Sequence, residues 1–500
     1  MNRYGARRLA LVPFRSTASR SRSIHATTSV LKKHAELHFW DKLPGEGQEP
    51  VKGVEKLLGP LRADRFAKSM FPITTTPKDV FDVAIVGGGI VGLATAREIL
   101  QRYPEKTVVV LEKEDQVAAH QTGHNSGVIH AGLYYIPGSR MAHTCVRGAE
   151  LMYKYCDENN LPVERCGKLV VACNEDEHAQ VEKLYKQGTA NGVQGLEIIY
   201  RDQIKAMEPN VEAYSALHSP NTGIVNYWLV SQCLAEEIRQ SGRGDIKLSF
   251  EALKIDKDDD KRQVLIKGRE PGQNGPNLYV LAKNVITCGG FYSDRLAKLT
   301  GGNPKEHRVV TFRGTYYQLK SEYRAIVSRN IYPVPSGGGI PVGVHFTPTV
   351  DVRRGHQMIV GPGACITFSR EGYKFFDFKL KDVLDFATNM ALWAFVLQNF
   401  SLSLGELYRD LSKRAFLKSG QRYIPSLTAD MVEPSFTGVM SQVFEPGGGA
   451  AGDYILERNC LDGLALNLRN APSPAATGSL AIGELMADAA AEDFEWDKKQ

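Results

Sequence analysis

The stretch FDVAIVGGGIVGLATAREIL, Phe81 to Leu100, constrains the fold more than any other part of the chain. Val83 to Val86 form an unbroken apolar run, the pattern of a parallel strand covered on both faces. Gly87, Gly89 and Gly92 follow in G-x-G-x-x-G spacing, and a helix-forming run starts on them. Gly87 permits the tight turn, Gly89 lets backbone approach a pyrophosphate, and Gly92 lets helix and strand pack closely. The free N–H groups and the dipole of such a helix N-terminus favour anions. A second strand, 107–111, ends at Glu112, twenty residues past Gly92, where a βαβ unit places a carboxylate for ribose hydroxyls. A phosphate on that ribose would be repelled by Glu112, which disfavours NADP. Lys113 beside it is a further candidate for contact with the dinucleotide.

A chain of 500 residues exceeds what one core holds comfortably, so two domains are expected. The net charge of +5 misleads, because residues 1–33 carry six arginines, two lysines and no acid. Without them the remainder stands at about −3, which gives no support to nucleic-acid binding. The acid-free, Arg- and Ser-rich composition of 1–33 fits a mitochondrial transit peptide, and 34–79 reads as a lead-in segment. The eight cysteines contain no C-x-x-C pair and are expected to be free, mostly buried thiols, with no metal site. Residues 386–405 are uncharged for twenty positions but interrupted by Thr, Asn, Gln and Ser, which predicts a buried amphipathic helix. Peripheral contact with the inner membrane is the second reading of that segment.

The segment HQTGHNSGVIHAGLYY, His120 to Tyr135, leaves the acid strand with histidines and glycines packed together. Ser126, Gly127 and Gly132 allow backbone to approach a ligand, and His124 and His130 offer donors or bases. The longer stretch EKEDQVAAHQTGHNSGVIHAGLYYIPGS resembles the FAD-dependent oxidoreductases of the D-amino-acid oxidase and glycerol-3-phosphate dehydrogenase class. More narrowly, CGKLVVA (166–172), TGIVNY (222–227), VITCGGFYSDRLA (285–297), FRGTYY (312–317), IYPVP (331–335), GVHFTP (343–348) and RNAPSPAAT (469–477) resemble the L-2-hydroxyglutarate dehydrogenase family, in that family's order.

The resemblance implies an α/β fold: a discontinuous Rossmann-like FAD-binding domain at 80–160, 215–305 and 425–492. An inserted α+β mixed-sheet substrate domain would fill 161–214 and 306–424. Gly289 would close over the FAD diphosphate, and Pro472 and Ser473 would open the last helix, presenting its N-terminus to the flavin. The implied reaction is oxidation of L-2-hydroxyglutarate to 2-oxoglutarate. The sequence names no electron acceptor and shows no second cofactor site, so electrons are expected to leave through the flavin to a quinone, a carrier protein or oxygen. A neutral imidazole suits the base for the hydroxyl proton, and His130 and His345 are the candidates. A dicarboxylate needs a guanidinium, for which Arg313 stands first, with Tyr316 and Tyr317 as hydroxyl donors and Arg370 and Lys374 behind it. His120 is expected to be a bystander. One departure stands out: Met440 occupies the position of an arginine in the family's usual G-V-R-A-Q segment. It keeps open another small hydroxy acid, an amine or glycerol phosphate as substrate. A non-catalytic FAD-binding assembly factor is the alternative from a different class.

Overall fold

The computed structural model describes residues 80–303, 306–335, 343–445 and 449–496. The expected transit peptide and lead-in, 1–33 and 34–79, lie outside the described residues.

Val80–Val86 is the centre of the first sheet. It pairs in parallel with Val108–Leu111 on one side and Leu278–Thr287 on the other, with Ala84 opposite both Val109 and Val285. Val83, Ala84 and Ile85 are fully buried, because helices cover one face and further sheet strands pack on the other. The sheet continues through Gly244–Lys247 at one edge and an antiparallel hairpin, Glu251–Asp258 and Gln263–Arg269, at the other. Ala465–Asn470 adds in parallel to Leu278–Thr287. The helices Ile90–Arg102, Tyr227–Gln240 and Ser479–Asp493 pack together over Val83 and Ile85 in one core.

A second, larger sheet runs Cys365–Ile366, Val309–Leu319, Met358–Gly361, His345–Pro348, Asn330–Pro333, Lys168–Ala172, Ser215–Ser219, Glu197–Tyr200. Val432–Val443 lies along nearly the whole of Val309–Leu319, from Val309 opposite Val443 to Leu319 opposite Val432. Two expected boundaries therefore move. Ser215–Ser219 hydrogen-bonds to Lys168–Ala172 and so belongs to the second sheet, not to a cofactor segment starting at 215. Val432–Val443 likewise belongs to the second sheet, so the third cofactor segment begins after 443 and not at 425. Strand partners, not local composition, decide membership, and partners are not visible in a short window.

Residues 380–411 also differ from expectation. They form three short helices, Leu380–Ala387, Met390–Gln398 and Phe400–Leu411. Among their described large apolar residues Phe386, Leu392 and Phe395 are buried, while Met390 is 76% and Leu397 72% exposed. The buried amphipathic helix does not form, because the apolar residues outnumber what one buried face accepts. Among the described residues no helix is long and apolar enough to cross a membrane. All eight cysteines are free, but only Cys145, Cys156 and Cys288 are buried; the other five are half-buried.

The glycine turn predicts a contrast between two substitutions. A Cβ on Gly92 would stand 2.0 Å from the Gly87 carbonyl oxygen, whereas one on Gly89 would meet only the Thr122 hydroxyl at 3.4 Å. Gly92→Ala should lose about 1–3 kcal/mol of stability through overpacking, visible as a lowered Tm. Gly89→Ala should keep its apo Tm and lose cofactor affinity instead. Equal melting of Gly92→Ala and wild type would contradict the assignment.

Candidate active site

Between the two sheets lies a cavity of about 1290 Å³, above the roughly 300–1,000 Å³ of ordinary small-molecule sites. Its outer end is the glycine turn. Gly87 has φ +122° and an added Cβ would collide with the Cys288 carbonyl, so only glycine fits there. The Gly88 N–H donates to Glu112 Oε2 at 2.7 Å and the Glu114 N–H to Glu112 Oε1 at 2.9 Å, which locks the carboxylate beneath the turn. Burial raises the Glu112 pKa against these two hydrogen bonds. Gly89 caps the helix without a side-chain bond of its own, and with the Ile90 N–H taken by Thr122 the following amides of the first turn are left to a ligand. Along the cavity follow Ser126, Gly289, Pro472 and Ser473.

At the inner end stand His130, Tyr134, Tyr316, Tyr332 and His345. The His130 backbone N–H donates to the Thr477 hydroxyl at 3.1 Å, tying the histidine segment to the turn before the last helix. The ring Nδ1 of His130 and Nε2 of His345 are buried without a hydrogen-bond partner among the described residues. His345 Nδ1 lies 3.1 Å from the Gly343 carbonyl oxygen. A carbonyl only accepts, so Nδ1 carries the hydrogen and Nε2 keeps a bare lone pair. The His345 ring stacks on Tyr332 at 3.9 Å and 13°. Burial, reinforced by Lys168, holds the His345 pKa down to about 3. His130 is likewise pushed well below 6.5 by burial, then by Lys168 and His345. Both imidazoles are therefore neutral at physiological pH.

Of the residues expected at the site, Gly87, Gly89, Glu112, Lys113, Ser126, Gly289, Pro472, Ser473, His130, His345, Arg313 and Tyr316 all line this cavity. Others do not reach it. Gly92 packs under the turn against Gly87. Gly127 has φ +74° and sits against the Val225 carbonyl, so its glycine serves strand packing and not ligand contact. Tyr317 alternates to the opposite face of its strand and packs on Phe416. Arg370 is buried on Asp294 and the Phe291 carbonyl, a structural tie between the sheets. Lys113 and His120 do line the cavity: Lys113 ion-pairs with Glu114 and Glu371, and His120 is not solvated but has Nε2 2.8 Å from Glu114 and Nδ1 3.0 Å from the Tyr373 hydroxyl. Arg313 reaches the cavity but is ion-paired with Asp410, whose side chain is fully buried. Nothing near Arg313 in sequence announces an acid almost a hundred positions away. The helix expected to open at Pro472 starts at Ser479, 473–478 is a turn, and residues 471–477 line the cavity. Met440 also lines it. Lys168, Tyr332 and Asp410 went unrecognised; a lysine opening the strand Lys168–Ala172, buried throughout, was the available signal.

A glycine-turn dinucleotide cradle facing two neutral imidazoles, each with one ring nitrogen unpartnered among the described residues, is the arrangement of a dinucleotide-dependent oxidoreductase. Residues 82–489 match the family described as FAD dependent oxidoreductase. The chain is 44% identical over 434 residues to "L-2-hydroxyglutarate dehydrogenase, mitochondrial" of Nematostella vectensis, covering 84% of this chain and 93% of that one. To the Homo sapiens protein of the same name it is 40% identical over 420 residues, covering 83% and 89%. The fold is similar to that of an L-alpha-glycerophosphate oxidase from Mycoplasma pneumoniae with FAD bound, with a TM-score of 0.64 at 24% identity over 84% and 95% of the two chains. It is also similar to glycine oxidase from Geobacillus kaustophilus, with a TM-score of 0.59 at 17% identity over 82% and 95%. The chain therefore belongs to the FAD-dependent oxidoreductases, and within them to the L-2-hydroxyglutarate dehydrogenase family. FAD is its cofactor, and the cradle fits it: Gly87 admits no Cβ and Glu112 is fixed beneath the turn.

The two depressed histidines make stability pH-dependent. Once unfolded, each takes a proton near its ordinary pKa of 6.5, while the folded ring resists it. The unfolded state therefore gains protons as pH falls below 6.5, and each histidine withdraws at most about 1.4 kcal/mol of stability per pH unit. The Tm should fall between pH 7 and pH 5, and His345→Gln should flatten that fall. Identical slopes for wild type and variant would contradict a buried neutral His345.

Proposed function

We propose that the protein oxidises L-2-hydroxyglutarate to 2-oxoglutarate. The observation that carries this reading is the pair of neutral imidazoles, His130 and His345, at the inner end of the cavity, whose Nδ1 and Nε2 respectively have no partner among the described residues. When bound, FAD supplies the acceptor for the Cα hydride, at N5. His345, with its hydrogen fixed on Nδ1 by the Gly343 carbonyl, takes the hydroxyl proton on Nε2. His130 packs beside it and shapes the site. Arg313 has five N–H donors and gives one to Asp410, so it retains others for a substrate carboxylate. The Tyr316 hydroxyl, which also lines the cavity, adds a donor.

Purified holoenzyme should be bleached anaerobically by L-2-hydroxyglutarate and not by its D-enantiomer, an amine or glycerol 3-phosphate. His345→Gln should lower kcat by roughly 10²–10⁴-fold with FAD content unchanged. Bleaching by another of these compounds alone would shift the substrate and return attention to Met440. Unaltered kcat in both His130→Gln and His345→Gln would remove the base.

The protein is mitochondrial, and we propose that it works on the matrix leaflet of the inner membrane, passing electrons to a lipid-soluble quinone-type acceptor. The helices of 380–411 expose Met390, Trp393, Leu397, Phe400 and Leu404 on one continuous segment, and Phe376 beside them is 90% exposed. Every exposed charged residue described from 374 to 418 is basic: Lys374, Lys379, Lys381, Arg414 and Lys418. That is the combination an anionic bilayer attracts. Lys379, Lys381 and Asp385 also line the cavity, so this surface adjoins its mouth. Holoenzyme should float with cardiolipin-containing vesicles, and Met390→Asp with Leu397→Asp should abolish flotation without changing anaerobic bleaching. Flotation that survives the double substitution would refute this surface.

A further inference from the structure

Six lysine and arginine side chains are buried among the described residues, and five have a carboxylate. Lys247 is paired with Asp245, Arg313 with Asp410, Arg354 with Asp351, Arg370 with Asp294 and Arg469 with Glu457. Lys168, only 1% exposed, has none among the described residues. Its Nζ lies 3.8 Å from the centroid of the Tyr332 ring and 5.3 Å from that of Tyr134. Strand order explains the arrangement. Asn330–Pro333 runs between Lys168–Ala172 and His345–Pro348, so Tyr332 is flanked by Lys168 from one neighbour and His345 from the other. Lys168, Tyr332 and His345 thus form a row, whose last two members line the substrate end of the cavity. A buried cation with only ring faces for company is costly unless an anion arrives.

We propose that Lys168 is the counter-charge for the anionic substrate, acting across the Tyr332 ring, and that its amine takes up a solvent proton when the anion enters the cavity. The inference rests on the reading that a dicarboxylate binds here. The step is a protonation alone: the neutral amine accepts a proton from water or buffer, and no bond in the substrate changes. The groups facing Lys168 are His130, His345, Tyr134, Tyr332, Cys145 and Cys166, none of them an acid ionised at neutral pH. Burial brings the Lys168 pKa down to about 7, so above that pH the empty site holds mostly the neutral amine. An anion raises that pKa again. The neighbouring histidines start too low to take the proton at pH 8. The same row explains selectivity: a neutral ligand of equal shape gains nothing from it.

The test adds 2-oxoglutarate, which does not reduce flavin, to oxidised holoenzyme at pH 8 in dilute buffer with an indicator dye. Flavin absorbance follows binding while the dye follows protons. Wild type should take up close to one proton per flavin, and its Kd should rise about tenfold per pH unit above 7. Lys168→Met should bind more weakly and take up none. Lys168→Arg, always charged, should bind without uptake and with a flat pH profile; flavin content and Tm show that each variant is folded. Binding by wild type without proton uptake, or equal uptake in Lys168→Met, overturns the role of Lys168 alone. No perturbation of the flavin by 2-oxoglutarate in wild type overturns the dicarboxylate reading, and this inference with it.

Discussion

The absence of a side chain at Gly92 governs the geometry on which the site depends. Helix Ile90–Arg102 can leave the strand Val80–Val86 only by passing against the Gly87 carbonyl, where no Cβ fits. That contact aims the helix N-terminus into the gap between the sheets. It also leaves Gly88 free to hold Glu112, and Thr122 to receive the Ile90 N–H at 3.1 Å. Thr122 belongs to the segment that carries His124, Ser126 and His130 inward. Cradle and histidines are thus two ends of one positioned chain. The second sheet closes the space from the other side with Arg313, Tyr316, Tyr332 and His345.

The cofactor half of this arrangement was legible in the sequence, because local rules write it. A buried parallel strand, three glycines and an acid at fixed spacing lie within about thirty residues of one another. The substrate half was less so. Arg313 could be named, yet its partner Asp410 comes from a helix on a distant part of the chain. Tyr316 and Tyr317 are adjacent and looked equivalent, but strand alternation sends one to the cavity and the other to Phe416. Lys168 was overlooked inside a quoted motif, since only the parallel pairing with Asn330–Pro333 brings it to Tyr332. Boundaries failed for a similar reason: Val432–Val443 joined the second sheet through a ladder with a strand more than a hundred residues earlier.

Charge is distributed unevenly around the cavity. At the outer end, Lys113 pairs with both Glu114 and Glu371, which are held near pKa 2. For Glu114 the His120 hydrogen bond is the largest cause; for Glu371 the Lys113 and Lys379 ammonium groups overcome burial. At the inner end no acid among the described residues balances Lys168 beside the neutral imidazoles. A nucleotide end that is electrostatically settled and a substrate end that awaits negative charge suit an enzyme that retains FAD and exchanges an anionic hydroxy acid.

The central claim is that the inner end of the cavity breaks the Cα–H bond of L-2-hydroxyglutarate with a neutral histidine as base. Single-turnover anaerobic reduction by L-2-hydroxyglutarate deuterated at Cα tests it most directly. The account predicts that flavin bleaching slows several-fold with deuterium, and that His345→Gln slows bleaching further while keeping an isotope effect. Bleaching at the same rate with hydrogen and deuterium in the His345→Gln variant, where chemistry should be slowest, would contradict it.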